Sequence, residues 1–102
     1  MSSSIDTIRE GVFQYQQTEG AVLLDVRTSQ EYLAGHIPAA KNVDVARIDQ
    51  VGALIPDKDT PVFVYCKGGM RARKAREAME SMSYTNVKNI GGFDSYIGLV
   101  EK

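Results

Sequence analysis

Pro61-Val62-Phe63-Val64-Tyr65-Cys66-Lys67-Gly68-Gly69-Met70-Arg71-Ala72 is the stretch that decides the fold. It reads as a buried strand running into a glycine loop, with a helix-forming segment directly behind. A cysteine at that junction is poorly explained by packing alone. Helix N-termini and neighbouring Lys or Arg side chains favour the thiolate over the thiol. Gly68 and Gly69 have no Cβ and let the backbone curl closely around a ligand. Successive N–H groups of such a loop form a nest for an anion, and the following helix adds about half a positive charge at its N-terminus.

The remaining segments fit around this unit. Ile5, Ile8, Val12 and Tyr15 recur at helical spacing, with Ser4 or Asp6 placed to cap the helix. Gly20 ends that segment, and Ala21 to Val26 reads as a second fully buried strand. Thr28 and Glu31 have the offset of a capping box, so Ser29 to Ala34 is expected to be a short helix closed by Gly35. His36-Ile37-Pro38 is a turn. Lys41 to Val43 suits a brief strand, and Val45 to Leu54 contains a short helix. Ala72, Ala75, Met79 and Met82 mark the inner face of the helix after the cysteine. Val87 to Ile90 is a last strand, Gly91-Gly92 a tight turn, and Phe93 to Val100 a terminal helix. The alternation of apolar and amphipathic runs describes an α/β domain with a mainly parallel sheet. In such sheets ligands bind beyond the C-terminal strand ends. Cys66, Asp25-Val26-Arg27 and Gly91-Gly92 all fall at such ends.

Composition narrows the chemistry. The chain has 102 residues and suits one domain, residues 1–102, with one core. Its one Cys and one His cannot form an internal disulfide or a four-ligand zinc site. No metal or other cofactor is expected. The 12 basic and 13 acidic residues leave a formal net charge of −1, which offers no general reason to bind nucleic acid or an anionic membrane. Lys67, Arg71, Arg73, Lys74 and Arg76 nevertheless crowd the segment after the cysteine, so the positive potential is local and suits a small anion. No apolar run reaches the ~18 residues of a membrane span. Met1 to Asp6 lacks the basic and apolar regions of a signal peptide. Together with the unpaired thiol, this points to a cytoplasmic protein.

Leu24-Asp25-Val26-Arg27, Glu31-Tyr32, Gly35-His36-Ile37-Pro38 with Ala40, Cys66-x-x-Gly69-x-Arg71-Ala72, and Gly91-Gly92 together resemble a single-domain rhodanese in order and spacing. The resemblance covers roughly Ile5 to Leu99. It implies a three-layer fold, with a central, mainly parallel sheet of four to five strands flanked by helices. It also implies a sulfurtransferase that moves a sulfane sulfur from thiosulfate or a similar anionic donor to cyanide or a thiol. Cys66 would be the nucleophile that carries the persulfide. Lys67, Gly68, Gly69, Met70 and Arg71 would line the substrate loop. The partners implied are a small sulfur-donor anion and a thiol or cyanide acceptor, which could be a protein.

Two positions depart from the family pattern. Ala39 stands where Gly often follows the Ile-Pro pair, and Tyr96 where an aromatic, usually Trp, follows Gly-Gly.

Two alternatives stay open at this level. One is a persulfide carrier or sensor serving a single protein partner. The other is a small phosphatase or arsenate reductase, whose related loops resemble Cys-x5-Arg. This chain reads Cys-x4-Arg, with Ala72 where the phosphatase Arg would fall. The shorter cradle suits a sulfur atom on Cys66 better than a phosphoryl group. His36 is expected to be a structural turn residue, and Asp25, Arg27 and Glu31 a structural ion network behind the first strand.

Overall fold

Five consecutive buried residues, Val62–Cys66, form a strand that must be covered on both faces. Because side chains alternate across a strand, this one feeds two cores. Val62, Val64 and Cys66 join one cluster with Leu24, Val26, Val51, Ile55, Ala72, Ala75 and Met79. Phe63 and Tyr65 join a second with Ile8, Leu23, Ile37, Ala40 and Ile90. Helices cover both sides, so the domain has three layers.

In this computed structural model residues 4–102 are described, with side chains from Thr7 onward. The elements are α1 (Ser4–Gln17), β1 (Val22–Asp25), α2 (Ser29–Ala34), β2 (Lys41–Asn42), a 3-10 segment (Val45–Ala53), β3 (Val62–Cys66), α3 (Met70–Ser81), β4 (Val87–Gly92) and a 3-10 turn (Phe93–Ser95). The cap expected at Ser4 or Asp6 lies outside the described side chains, as does the whole segment read for a leader. α1 docks on β4 through Gly11, where an added Cβ would fall 2.3 Å from Ile90 Cβ.

All strand pairs are parallel, in the order β2-β1-β3-β4. The chain leaves β1 toward one edge and β3 toward the other, which makes the crevice between their C-terminal ends a topological switch point. Asp25, the last residue of β1, lies opposite Tyr65, and Cys66 is the next residue of β3. The fold therefore sets the thiol at the place where open parallel sheets bind ligands.

The sheet has four strands, within the four to five expected. Several local expectations differ from the structure. Gly91-Gly92 is not a separate tight turn but the end of β4. There β3 advances from Val64 to Cys66 while β4 advances from Asn89 to Gly92, a bulge of one extra residue. The helix expected over Phe93 to Val100 is only the 3-10 turn Phe93–Ser95. Beyond it the backbone is drawn against His36, whose N–H and C=O pair with Glu101 at 2.9 Å each. The loop after Cys66 is also shorter than read, because α3 already begins at Met70 and puts Arg71 in its first turn.

Candidate functional site

The Cys66 side chain is buried, with 1% of the residue exposed, and its Sγ accepts a hydrogen bond from the Gly69 N–H at 2.9 Å. Gly69 supports this with φ 107°, a conformation that favours glycine, and it is the N-cap of α3. The Cys66 sulfur thus sits within the loop, at the positive end of α3.

The loop is clamped from β4. Gly92 lies opposite Cys66, and a Cβ there would fall 2.3 Å from the Lys67 carbonyl oxygen and 2.8 Å from Gly68 Cα. The glycine allows the two backbones to touch. The Asp94 N–H donates to the Lys67 carbonyl at 3.1 Å, and Lys67 Nζ pairs with the Asp94 carboxylate at 2.9 Å, both side chains being well exposed. Exposed pairs of this kind contribute little stability; this one orients a loop side chain.

Arg71 is held by Glu31 in a two-pronged ion pair of 2.7 and 3.0 Å. The expected capping box also forms: the Glu31 N–H donates to Thr28 Oγ1 and the Thr28 N–H to Glu31 Oε1. Glu31 therefore ties the start of α2 to the start of α3. The Arg71 hydrogen bonds lower its pKa to about 2, against the opposing effect of burial and with help from Thr28. The Arg71 guanidinium is correspondingly raised, first by the Glu31 hydrogen bonds. Each of the two cations read into the substrate loop, Lys67 and Arg71, is thus engaged by a carboxylate. Gly68 and Gly69 form the loop between them, and Met70 opens α3 with two thirds of its surface exposed.

The ion network behind β1 differs from its expected membership. Arg27 Nε and Nη2 grip the fully buried Asp25 at 2.7 to 3.1 Å, and Nη2 also donates to the Gly35 carbonyl. The guanidinium lies 4.4 Å from the Phe93 ring centroid. Glu31 belongs to Arg71 instead. His36 has the structural role expected of it: its Nδ1 lies 2.9 Å from the Tyr32 carbonyl, and its ring stacks on Tyr32 at 3.7 Å. Tyr96 stacks on Phe93 at 5.8 Å. A cleft of about 500 Å³ between Asn42, Asp44, Arg47 and Gln50 contains no residue of the cysteine loop.

One residue beside the loop escaped the sequence reading. Asn89 Nδ2 donates to the Gly69 carbonyl at 3.2 Å, and its Oδ1 accepts the Gly91 N–H at 2.9 Å. The available signal was an Asn two residues before a glycine, the spacing of an Asx turn.

Residues 12–98 match the family model described as rhodanese-like domain. The chain is 34% identical over 70 residues to the thiosulfate sulfurtransferase PspE of Escherichia coli (strain K12), covering 68% of this chain and 67% of that protein. It is 36% identical over 83 residues to the thiosulfate sulfurtransferase GlpE of Pseudomonas fluorescens (strain SBW25), covering 79% and 74%. Among solved structures, a rhodanese with anions from E. coli superposes with a TM-score of 0.74 at 30% identity, over 80% of this chain and 98% of that one. The human single-domain sulfurtransferase TSTD1 gives 0.74 at 25% identity, over 84% and 88%.

Proposed function

The chain belongs to the rhodanese-like domain family and is a rhodanese-type sulfurtransferase; on that premise we propose that it takes a sulfane sulfur from thiosulfate, or a similar anionic donor, and passes it to a thiol or cyanide through a persulfide on Cys66. The observation that carries this reading is the sulfur held at 2.9 Å by the Gly69 N–H, at the N-terminus of α3 and at the switch point of the sheet.

The cycle is covalent catalysis in two displacements. The Cys66 thiolate attacks the sulfane sulfur of thiosulfate. A new S–S bond forms to Cys66, and the old one breaks with its electron pair leaving on sulfite. An acceptor thiolate or cyanide then attacks the outer sulfur. The S–S pair returns to Cys66 as thiolate, and the acceptor leaves as a persulfide or thiocyanate. Backbone N–H groups of Gly69 and the first turn of α3 stabilise the negative sulfur at each stage. Lys67 and Arg71, held by Asp94 and Glu31, keep the loop curled and leave the amides as its anion-facing donors. We also assign the protein to the cytoplasm, a reducing compartment suited to an unpaired thiol.

Treating the protein with thiosulfate and measuring its intact mass is expected to show one added sulfur atom, which cyanide removes. Cys66→Ser is expected to abolish both the mass shift and thiocyanate formation. A Cys66→Ser variant that turns over at the wild-type rate refutes the mechanism.

A further inference from the structure

The Asn89 amide joins two pieces of backbone that both bear on the sulfur. Its Oδ1 accepts the Gly91 N–H and fixes the bulge at the end of β4, where Gly91 has φ 102°. Its Nδ2 donates to the carbonyl of Gly69, the residue whose own N–H holds Cys66 Sγ. The Gly69 carbonyl also accepts the Arg73 N–H at 3.0 Å, within the first turn of α3. The Gly69 carbonyl is therefore held by two donors, the helix and Asn89, and the adjoining Gly68–Gly69 peptide carries the N–H that meets the sulfur. The approach is close: a Cβ on Gly69 would lie 3.8 Å from Gly91 Cα.

We infer that Asn89 is a positioning residue for sulfur transfer, orienting the Gly69 N–H toward the Cys66 sulfur by anchoring the Gly69 carbonyl to the β4 bulge. This deepens the sulfurtransferase reading and rests on it for the catalytic consequence. Asn89 does not touch the sulfur. Its role depends on offering a donor and an acceptor at once, which Asn does and Asp does not. An Asp here keeps the acceptor for Gly91 but turns an acceptor toward the Gly69 carbonyl.

The test compares the wild type with Asn89→Asp, Asn89→Ala and Asn89→Val, each checked for folding by circular dichroism and thermal melting. Two rates are measured: alkylation of Cys66 by iodoacetamide at fixed neutral pH, and thiosulfate-to-cyanide turnover. Asn89→Ala is expected to slow alkylation and kcat about fivefold, the size of one net hydrogen bond, with KM changed less than twofold. Asn89→Asp is expected to be slower still, although it keeps the acceptor for Gly91. An Asp variant that matches the wild type in both rates reduces Asn89 to a support of the bulge and overturns the proposal. Should Asp or Ala fail to fold, Asn89→Val, which suits a strand but offers neither donor nor acceptor, decides: wild-type rates in it overturn the proposal equally. Alkylation needs no sulfur donor. If the wild type forms no persulfide but its alkylation responds to Asn89 as stated, the sulfurtransferase reading fails while the positioning role stands.

Discussion

Ala39 has φ 73°, in the left-handed region where a Cβ is crowded by the following carbonyl. The family resemblance already marked this as a position where Gly is usual, and the dihedral supplies the reason. Ala39→Gly removes a left-handed penalty of about 1–2 kcal/mol and adds back roughly 0.4–1 kcal/mol of unfolded-chain entropy. The expected outcome is a net gain between about 0 and 1.6 kcal/mol, with Tm rising by roughly 4–8 °C per kcal/mol for a domain near 100 residues. A variant melting below the wild type contradicts this account. At the same scale the cysteine was fully legible. It is the chain's only thiol, and it follows an unbroken apolar run. Asn89 was not, because nothing in a single Asn tells which carbonyl its Nδ2 will meet.

The elements around the loop are locked pairwise, and two predictions belong to those pairs. β4 meets the cysteine loop at Gly92, where an added Cβ would press on the backbone of Lys67 and Gly68. Backbone yields less readily than a flexible side chain, so Gly92→Ala is expected to cost about 1–3 kcal/mol and to displace the loop. Turnover should fall by more than tenfold in protein that still melts cooperatively. α2 meets α3 through Glu31 and Arg71. Glu31 has its pKa depressed from 4.5 to about 2 in the folded chain, so its contribution to stability is present above pH 4.5 and is lost as pH falls toward 2. In Glu31→Gln this contribution is absent. Its Tm is expected to be lower than wild type near neutrality, with the difference shrinking between pH 4.5 and 2. A constant difference across that range would mean that the ionised pair contributes nothing. The capping box of α2 could be read locally, since Thr28 and Glu31 are three residues apart. The pairing with Arg71, 40 residues on, required the parallel sheet to bring both helix starts to one end.

At the scale of the whole molecule, the single cysteine constrains the proposed reaction. With no second thiol in the chain, a sulfur placed on Cys66 can depart only to another molecule. Persulfidated protein freed of donor is therefore expected to keep its extra sulfur, and to lose it at a rate that rises in proportion to added thiol. A loss rate indifferent to thiol concentration would refute this. The α/β class and the alternation of elements followed from apolar runs too short for helices and amphipathic runs too long for strands. The thiol at a strand end, the glycine loop and the capped helix beside it were likewise fixed by local pattern. These features arise from neighbours within a few residues, and the sequence holds all of that information. The tertiary structure decided the strand order β2-β1-β3-β4 and hence the switch point. It also decided the partners of Lys67, Arg71 and Asn89, and the fate of the last segment. Phe93 to Val100 has helical spacing, yet only Phe93–Ser95 turns, as a 3-10 helix, and beyond it Glu101 pairs with His36. The reason is common to all of them. Each depends on groups distant in the chain, and their contact energies outweigh local preference only once the sheet has assembled.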